Sequence, residues 1–204
     1  MNKKPILITG AASGIGAGLT KEFCEEFLVI ATDLAENLLC QISHECSASI
    51  VCFKCDLTKE NEINNLIKFI SDRFPFLFSV INSAGIYPTQ SMFDIDQTSW
   101  DSVLNLNLRA PFLLSRGLSK LMIRNKINGS IINISSSAAK MARPGICHYG
   151  ASKAGLEQLT KNLAIELASH QIRVNVVAPG LINTETVQKM SNDIGAMEHQ
   201  KKLN

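Results

Sequence analysis

No stretch of this chain stays apolar for the ~18 residues that a membrane-crossing helix needs. No block of five or six basic residues occurs either. Twenty Lys and Arg stand against eighteen Asp and Glu, for a net charge of +2. A nucleic-acid or membrane-surface role therefore has no electrostatic footprint. Internal repeats, low-complexity tracts and linkers are also missing. The first apolar stretch, Pro5-Ile6-Leu7-Ile8, breaks at Thr9-Gly10, short of the ~7-residue core of a secretory signal. The expectation is an unexported, cytoplasmic protein. What is present is 204 residues, 46% hydrophobic and 19% charged. That suits one packed domain and excludes a disordered chain.

Cysteine is not scarce, but its arrangement is uninformative. The six lie at 24, 40, 46, 52, 55 and 147. Disulfide frameworks belong to small secreted domains, and this chain is neither small nor recognisably secreted. Cys52 and Cys55 form a lone Cys-x-x-Cys with no second copy to complete a zinc site. Val51–Cys55 reads as a strand, where residues three apart point to opposite faces. No metal is expected.

Strand-like runs alternate with amphipathic stretches. The strands are Ile6–Thr9, Leu28–Thr32, Ile50–Cys55, Ser79–Ile81, Ser130–Ile134 and Arg173–Val177. Helical segments fall near 15–27, 35–46, 59–74, 98–126 and 149–169. This alternation predicts βαβ units. Several strands are apolar throughout, as when helices cover both faces of a sheet. Right-handed crossovers then give an α/β fold with a doubly wound, mostly parallel sheet. The segment from Val187 onward is polar and weakly periodic. The expected division is one domain over 1–187 and a tail over 188–204.

The first strand runs directly into Gly10-Ala11-Ala12-Ser13-Gly14-Ile15-Gly16. Glycines at that point permit a tight turn and close backbone approach to a pyrophosphate. The helix that follows offers free N–H groups and the positive end of its dipole. This placement predicts dinucleotide binding by Gly10, Ser13, Gly14, Ile15 and Gly16. Asp33 ends the second strand, where a carboxylate meets the hydroxyls of an adenosine ribose. It would repel a 2′-phosphate, and no Arg or Lys lies in the loop or beside Asp33 to offset that. The cofactor expected is NAD rather than NADP.

Four further signatures follow in order. Asn82-Ser83-Ala84-Gly85 comes after the fourth strand and Asn133-Ile134-Ser135-Ser136-Ser137 ends the fifth. Tyr149-Gly150-Ala151-Ser152-Lys153 opens a helix, and Pro179-Gly180 follows the sixth strand. With the glycine loop, this set resembles the short-chain dehydrogenase/reductase family over residues 5 to about 187. The resemblance implies a Rossmann-like fold and hydride transfer between a dinucleotide and a carbinol carbon. Proton exchange at the oxygen must accompany that transfer. Tyr149 and Lys153 are four apart and share a helix face. A phenol is a weak base at neutral pH, and an adjacent ammonium would favour its ionised form.

The resemblance also assigns Ser136, thirteen residues before Tyr149, to the substrate oxygen. Ser135 and Ser137 are alternatives by composition, but alternation at a strand end points them to the other face. Asn107 resembles the asparagine that completes a proton relay, and Asn105, two residues away, falls on a different helix face. By position, Asp56 and Leu57 would meet adenine, and Asn82, Ala84 and Gly85 the adenosine ribose and central crevice. Tyr149 and Lys153 would reach the nicotinamide ribose. Pro179, Gly180, Ile182 and Thr184 would orient the carboxamide. His148 adjoins Tyr149 but is expected off its face, most simply at the surface. Met141, Pro144 and Cys147 are candidates to line the pocket. Trp100 is read as packing.

The chain departs from the family pattern at Ser83, usually a second asparagine, and at Phe27 and Pro75, usually glycines. Family members continue past the Pro-Gly segment for about 35–50 residues, by mean element lengths, to a seventh strand. The expectation is a single domain lacking that last strand, with a partial substrate lid. The helices near 98–126 and 149–169 could still form a homodimer or homotetramer contact. The activity expected is NAD-dependent interconversion of a secondary alcohol and a ketone. One alternative is a 3-oxoacyl thioester reductase using NADPH, for which Arg109, Arg116 and Lys120 make only a thin basic patch. Another is a catalytically impaired dinucleotide-binding protein.

Overall fold

The structure, a computed structural model, describes residues 3–46, 49–180 and 182. The elements run β1 (Pro5–Thr9), α1 (Gly14–Phe23), β2 (Leu28–Asp33), α2 (Glu36–Glu45), β3 (Ile50–Lys54) and α3 (Glu60–Arg73). They continue with β4 (Ser79–Asn82), α4 (Gln97–Leu104), α5 (Ala110–Arg124), β5 (Ser130–Ile134), α6 (Cys147–Leu167) and β6 (Arg173–Val177). All pairings are parallel, in the order β3-β2-β1-β4-β5-β6. This is the doubly wound, Rossmann-like sheet that the alternating pattern predicts. Among the described residues β6 is an edge strand, paired on one side with β5. No described helix is long and apolar enough to cross a membrane.

The strand period divides the core in two. Leu7, Ile30, Val80 and Ile131 face α3, α5 and α6, meeting Ile63, Leu66, Leu114, Leu118 and Met122. Ile6, Ile8, Val29 and Ala31 face α1 and α2, meeting Leu39 and Ile42. The continuous apolar character of these strands is thus the mark of a sheet covered on both sides.

Two helix boundaries differ from expectation. α1 stops at Phe23, not near 27, because Cys24–Phe27 close a turn in which Phe27 N donates to Phe23 O at 2.8 Å. The two rings pack edge to face, 5.8 Å apart. The long segment near 98–126 is interrupted by a π-helical turn, Asn105–Arg109, between α4 and α5. Such turns frequently sit at functional sites because they rotate a side chain out of helical register. Cys52 is exposed and Cys55 buried, so the Cys-x-x-Cys sulfurs point apart, and all six cysteines are free thiols.

Candidate active site

The sheet order reverses between β1 and β4, where crevices at the carboxyl ends of such strands receive ligands. Gly10 leaves β1 with φ +63°, and a Cβ there would lie 2.8 Å from the Ala84 Cα. Only glycine permits that conformation together with that approach. A Cβ on Gly16 would collide with the Gly10 carbonyl oxygen. Ser13 stands at the α1 N-cap without a side-chain capping bond. The first-turn N–H groups of α1 are therefore not claimed by it and could receive a pyrophosphate. Asp33 is held between the two loops of this end. Its Oδ2 accepts from Ala12 N at 3.2 Å and its Oδ1 from Ala35 N at 3.0 Å. On the far side of the crevice, Thr9 Oγ1 accepts from Ser83 N and Ala84 N, both at 3.0 Å. That bond anchors the segment in which serine replaces the usual second asparagine. These features fit a dinucleotide lying across the crevice.

The π-helical turn places Asn107 beside it. Asn107 is fully buried. Its Oδ1 accepts from Ile86 N at 2.9 Å, while its Nδ2 donates to Ile86 O at 2.9 Å and to Ser152 Oγ at 3.2 Å. Ser152 Oγ in turn donates to the Tyr149 carbonyl at 2.7 Å. Lys153 Nζ donates to the Ile134 carbonyl at 2.8 Å and lies 5.8 Å from the Tyr149 ring centroid. A Cβ on Gly85 would stand 3.1 Å from Asn107 Oδ1 and 3.5 Å from Lys153 Nζ. Gly85 therefore opens the crevice onto both groups. Ser136 Oγ accepts from Ala138 N at 3.2 Å, which leaves its proton free, and its hydroxyl favours the ionised form of the neighbouring Tyr149 phenol. Ser135 is turned away, with its Oγ donating to Lys153 O and to Glu157, each at 3.3 Å. The structure thus brings Asn107, Ser136, Tyr149 and Lys153 to one place, turns the Ser135 side chain to the backbone of Lys153 and to Glu157, and sets Asn105 in a groove between α4, α5 and α6.

Burial governs the electrostatics. It lowers the pKa of Lys153, 5% exposed, from 10.5 to about 8. It raises that of the Tyr149 phenol, and the Tyr87 phenol adds to the rise. The Ser136 hydroxyl and the Arg143 guanidinium pull the other way. Burial is the largest influence on the phenol, against the direction in which Lys153 is expected to draw it. The Lys153 ammonium is itself desolvated and donates to Ile134 O.

His148 also corrects the sequence reading. It is not a surface residue but fully buried, with neither ring nitrogen hydrogen-bonded among the described residues, and burial lowers its pKa. It heads the inward stripe of α6, which continues through Ser152, Leu156, Thr160, Leu163 and Leu167. That period of three and four is legible in the sequence.

Other sequence candidates are placed as follows. The Asp56 carboxylate is engaged by Thr58 N at 3.0 Å, Thr58 Oγ1 at 2.6 Å and Lys59 at 3.2 Å. The Thr58 hydroxyl, with Thr58 N and Lys59, holds its pKa below the usual carboxylate value. Leu57 is buried. Asn82 points its side chain inward rather than into the crevice, donating to Asn133 Oδ1 at 2.8 Å. Asn133 Nδ2 then donates to Thr160 Oγ1, also at 2.8 Å. This buried ladder ties β4 and β5 to α6 and escapes sequence reasoning, because its members are 51 and 27 residues apart. Pro179 O accepts from Ser137 N at 2.9 Å. Gly180 and Ile182 are exposed. Thr184 and the tail 188–204 lie outside the described residues. Met141, Pro144 and Cys147 are exposed before and at the start of α6.

The sequence model of the short chain dehydrogenase family matches residues 4–195. The chain is 35% identical over 191 residues to a 3-oxoacyl-(acyl-carrier-protein) reductase of Thermotoga maritima, covering 92% of this chain and 77% of that protein. Its counterpart in Buchnera aphidicola subsp. Baizongia pistaciae is 36% identical over 191 residues, covering 93% and 78%. Among solved structures, a 4-hydroxyisoleucine dehydrogenase complexed with NADH superimposes with a TM-score of 0.83 at 36% identity, covering 92% of this chain and 79% of that one. A metagenomic short-chain oxidoreductase in complex with NADP gives 0.83 at 31% identity, covering 88% and 83%. Motif order, sheet topology and these likenesses agree: the chain belongs to the short-chain dehydrogenase/reductase family of oxidoreductases.

Proposed function

We propose that this chain is an NAD(H)-dependent oxidoreductase that interconverts a secondary alcohol and a ketone. The observation that carries this reading is the convergence of Ser136, Tyr149, Lys153 and Asn107 behind Gly85, at the mouth of a crevice shaped by glycine. The nicotinamide supplies or accepts the hydride. Ser136 donates a hydrogen bond to the substrate oxygen. Tyr149, whose phenol burial keeps protonated, delivers a proton there as negative charge develops. In the reverse direction the phenolate takes it back. Lys153 holds a proton near pH 8 behind the ring, and Asn107 orients the path from it. Lys153 would also hold the nicotinamide ribose, and the segment through Ile182 and Thr184 the carboxamide. Asp56 and Leu57 would border the adenine.

The preference for NAD rests on Asp33. Two backbone N–H groups fix its carboxylate at the end of β2, leaving lone pairs for ribose hydroxyls. A 2′-phosphate there would face a fixed negative charge. In a thermal melt, NADH at 100 times its Kd is expected to add ~2.7 kcal/mol of stability. That raises Tm by roughly 5–10 °C for a domain of this size. NADPH at the same concentration should raise it by less than about 2 °C. Asp33→Ala should bring the two cofactors within about threefold of each other. Equal shifts in the unaltered chain would overturn the assignment.

A second reading, reduction of a 3-oxoacyl thioester with NADPH, is favoured by the names of the Thermotoga and Buchnera relatives. The structure weakens the basic patch that would receive an acyl carrier. Arg109 is engaged by Glu60, and Arg116 lies over the Phe112 ring at 5.5 Å. Oxidation of NADPH by a 3-oxoacyl thioester, faster than oxidation of NADH, would select this reading.

A cytoplasmic homo-oligomer belongs to the same proposal. Leu104, Leu108, Phe112, Gly155 and Leu159 line a shallow groove between α4, α5 and α6. Phe112 is 38% exposed there. A second copy would cover this apolar face. Light scattering should give a dimer or tetramer, and Phe112→Asp should shift it toward monomer. A monomer at all concentrations would sink the idea.

A further inference from the structure

The chain has two tyrosines, and they touch. The Tyr87 and Tyr149 rings meet edge to face, with centroids 4.4 Å apart and planes at 88°. Tyr87 is held between two fixed points. On one side, Asn107 clamps both the N–H and the carbonyl of Ile86 at 2.9 Å. On the other, Gln90 N donates to Gly145 O at 2.8 Å, in the turn that leads into α6. Gly145 has φ +79°, and a Cβ there would press within 2.9 Å of the Thr89 side chain. The segment Ile86–Gln90 is thus pinned to the relay asparagine at one end and to the approach of the Tyr149 helix at the other.

We infer that Tyr87 is a positioning residue for Tyr149, holding its ring by an edge-to-face contact so that the phenol stays aimed at the reacting oxygen. The inference rests on the reading of Tyr149 as the proton-transferring group. Edge-to-face contact is a preferred aromatic geometry, with the positive ring edge on the negative face. A catalytic group displaced by about 1 Å loses on the order of 10²-fold in rate. The groups around the phenol are Ser136, Tyr87, Arg143 and Lys153. Of these, Tyr87 alone contributes a ring against its side.

The test uses the absence of other tyrosines. Near-ultraviolet circular dichroism at pH 7 reads these two rings together with Trp100, and the part removed by Tyr149→Phe belongs to Tyr149. In a Tyr87→Ala background that part should largely vanish, and kcat should fall about 10- to 100-fold with KM for NADH unchanged. Tyr87→Phe keeps the ring and should recover most of both. The spectroscopic midpoint of Tyr149 should also fall in Tyr87→Ala, as water reaches the phenol. A Tyr149 signal and midpoint identical in Tyr87→Ala and the unaltered chain would overturn the inference, as would Phe and Ala variants that behave alike. If the unaltered chain turns over no alcohol or ketone, the dehydrogenase reading falls, while the spectra still decide whether Tyr87 holds the Tyr149 ring.

Discussion

Tyr149→Phe is expected to lower kcat by about 10³-fold while leaving NADH affinity within about twofold. General acid–base catalysis is worth on the order of 10²–10⁴ in rate, and among the described residues neither Ser136 nor His148 can replace the phenol. Ser136 holds its proton too tightly to surrender it. His148 is close in sequence, yet it is fully buried on the inward stripe of α6. The ring would remain packed on Tyr87, since removing one oxygen leaves the edge-to-face contact of 4.4 Å intact. The measurement is steady-state turnover on the best substrate from a panel of secondary alcohols and 3-oxoacyl thioesters, with NADH affinity taken from fluorescence. Loss of less than tenfold in kcat would remove Tyr149 from the proton-transfer role.

Lys153→Met should abolish the pH dependence of stability that the buried lysine imposes. Lys153 has a pKa of about 8 in the folded protein against 10.5 ordinarily. Between those values the unfolded chain carries a proton that the folded one has lost, so stability rises with pH. Below about pH 8 the folded protein must bury an ammonium. The full span corresponds to about 3 kcal/mol. Methionine keeps the length of the side chain and has nothing to titrate. It also leaves the Ile134 carbonyl without its 2.8 Å partner, a pH-independent cost of about 1–3 kcal/mol. The slope, not the absolute stability, is therefore diagnostic. Urea unfolding at pH 7, 8, 9 and 10 should show the unaltered chain gaining on the variant by up to about 3 kcal/mol. Parallel curves would mean that Lys153 is not titrating within the fold. This destabilising charge, kept beside the crevice, is the kind of cost that functional sites carry.

Much of the site is legible in the order of the amino acids, for reasons particular to each residue. Gly10, Gly14 and Gly16 announce themselves because turns and close approaches demand glycine at fixed local spacing. Tyr149 and Lys153 are one helical turn apart, so one local element sets their relation. Ser136 is separable from Ser135 by strand alternation alone, and the side chain of Ser135 does turn to Lys153 and Glu157. Other features are not legible. Asn82 reads as a crevice residue, and its side chain is a rung of the Asn82–Asn133–Thr160 ladder. Nothing local in the sequence links residues so far apart. The effect of Lys153 on Tyr149 is expected from helix spacing, which says nothing about how deeply each group is desolvated.

The sequence by itself determined the alternation of strands and helices, the parallel doubly wound sheet, the glycine turn and the order of the motifs. Each of these follows from periodicity, or from steric rules acting over a few residues. Only the tertiary structure decided which polar groups face one another across the β1–β4 crevice. It also decided that a π-helical turn aims Asn107 at Ile86 and Ser152, that His148 is buried, and that Tyr87 lies against Tyr149. Those outcomes depend on contacts between distant segments and on the exclusion of water from them. Desolvation is a property of the packed whole, and no single stretch of sequence carries it.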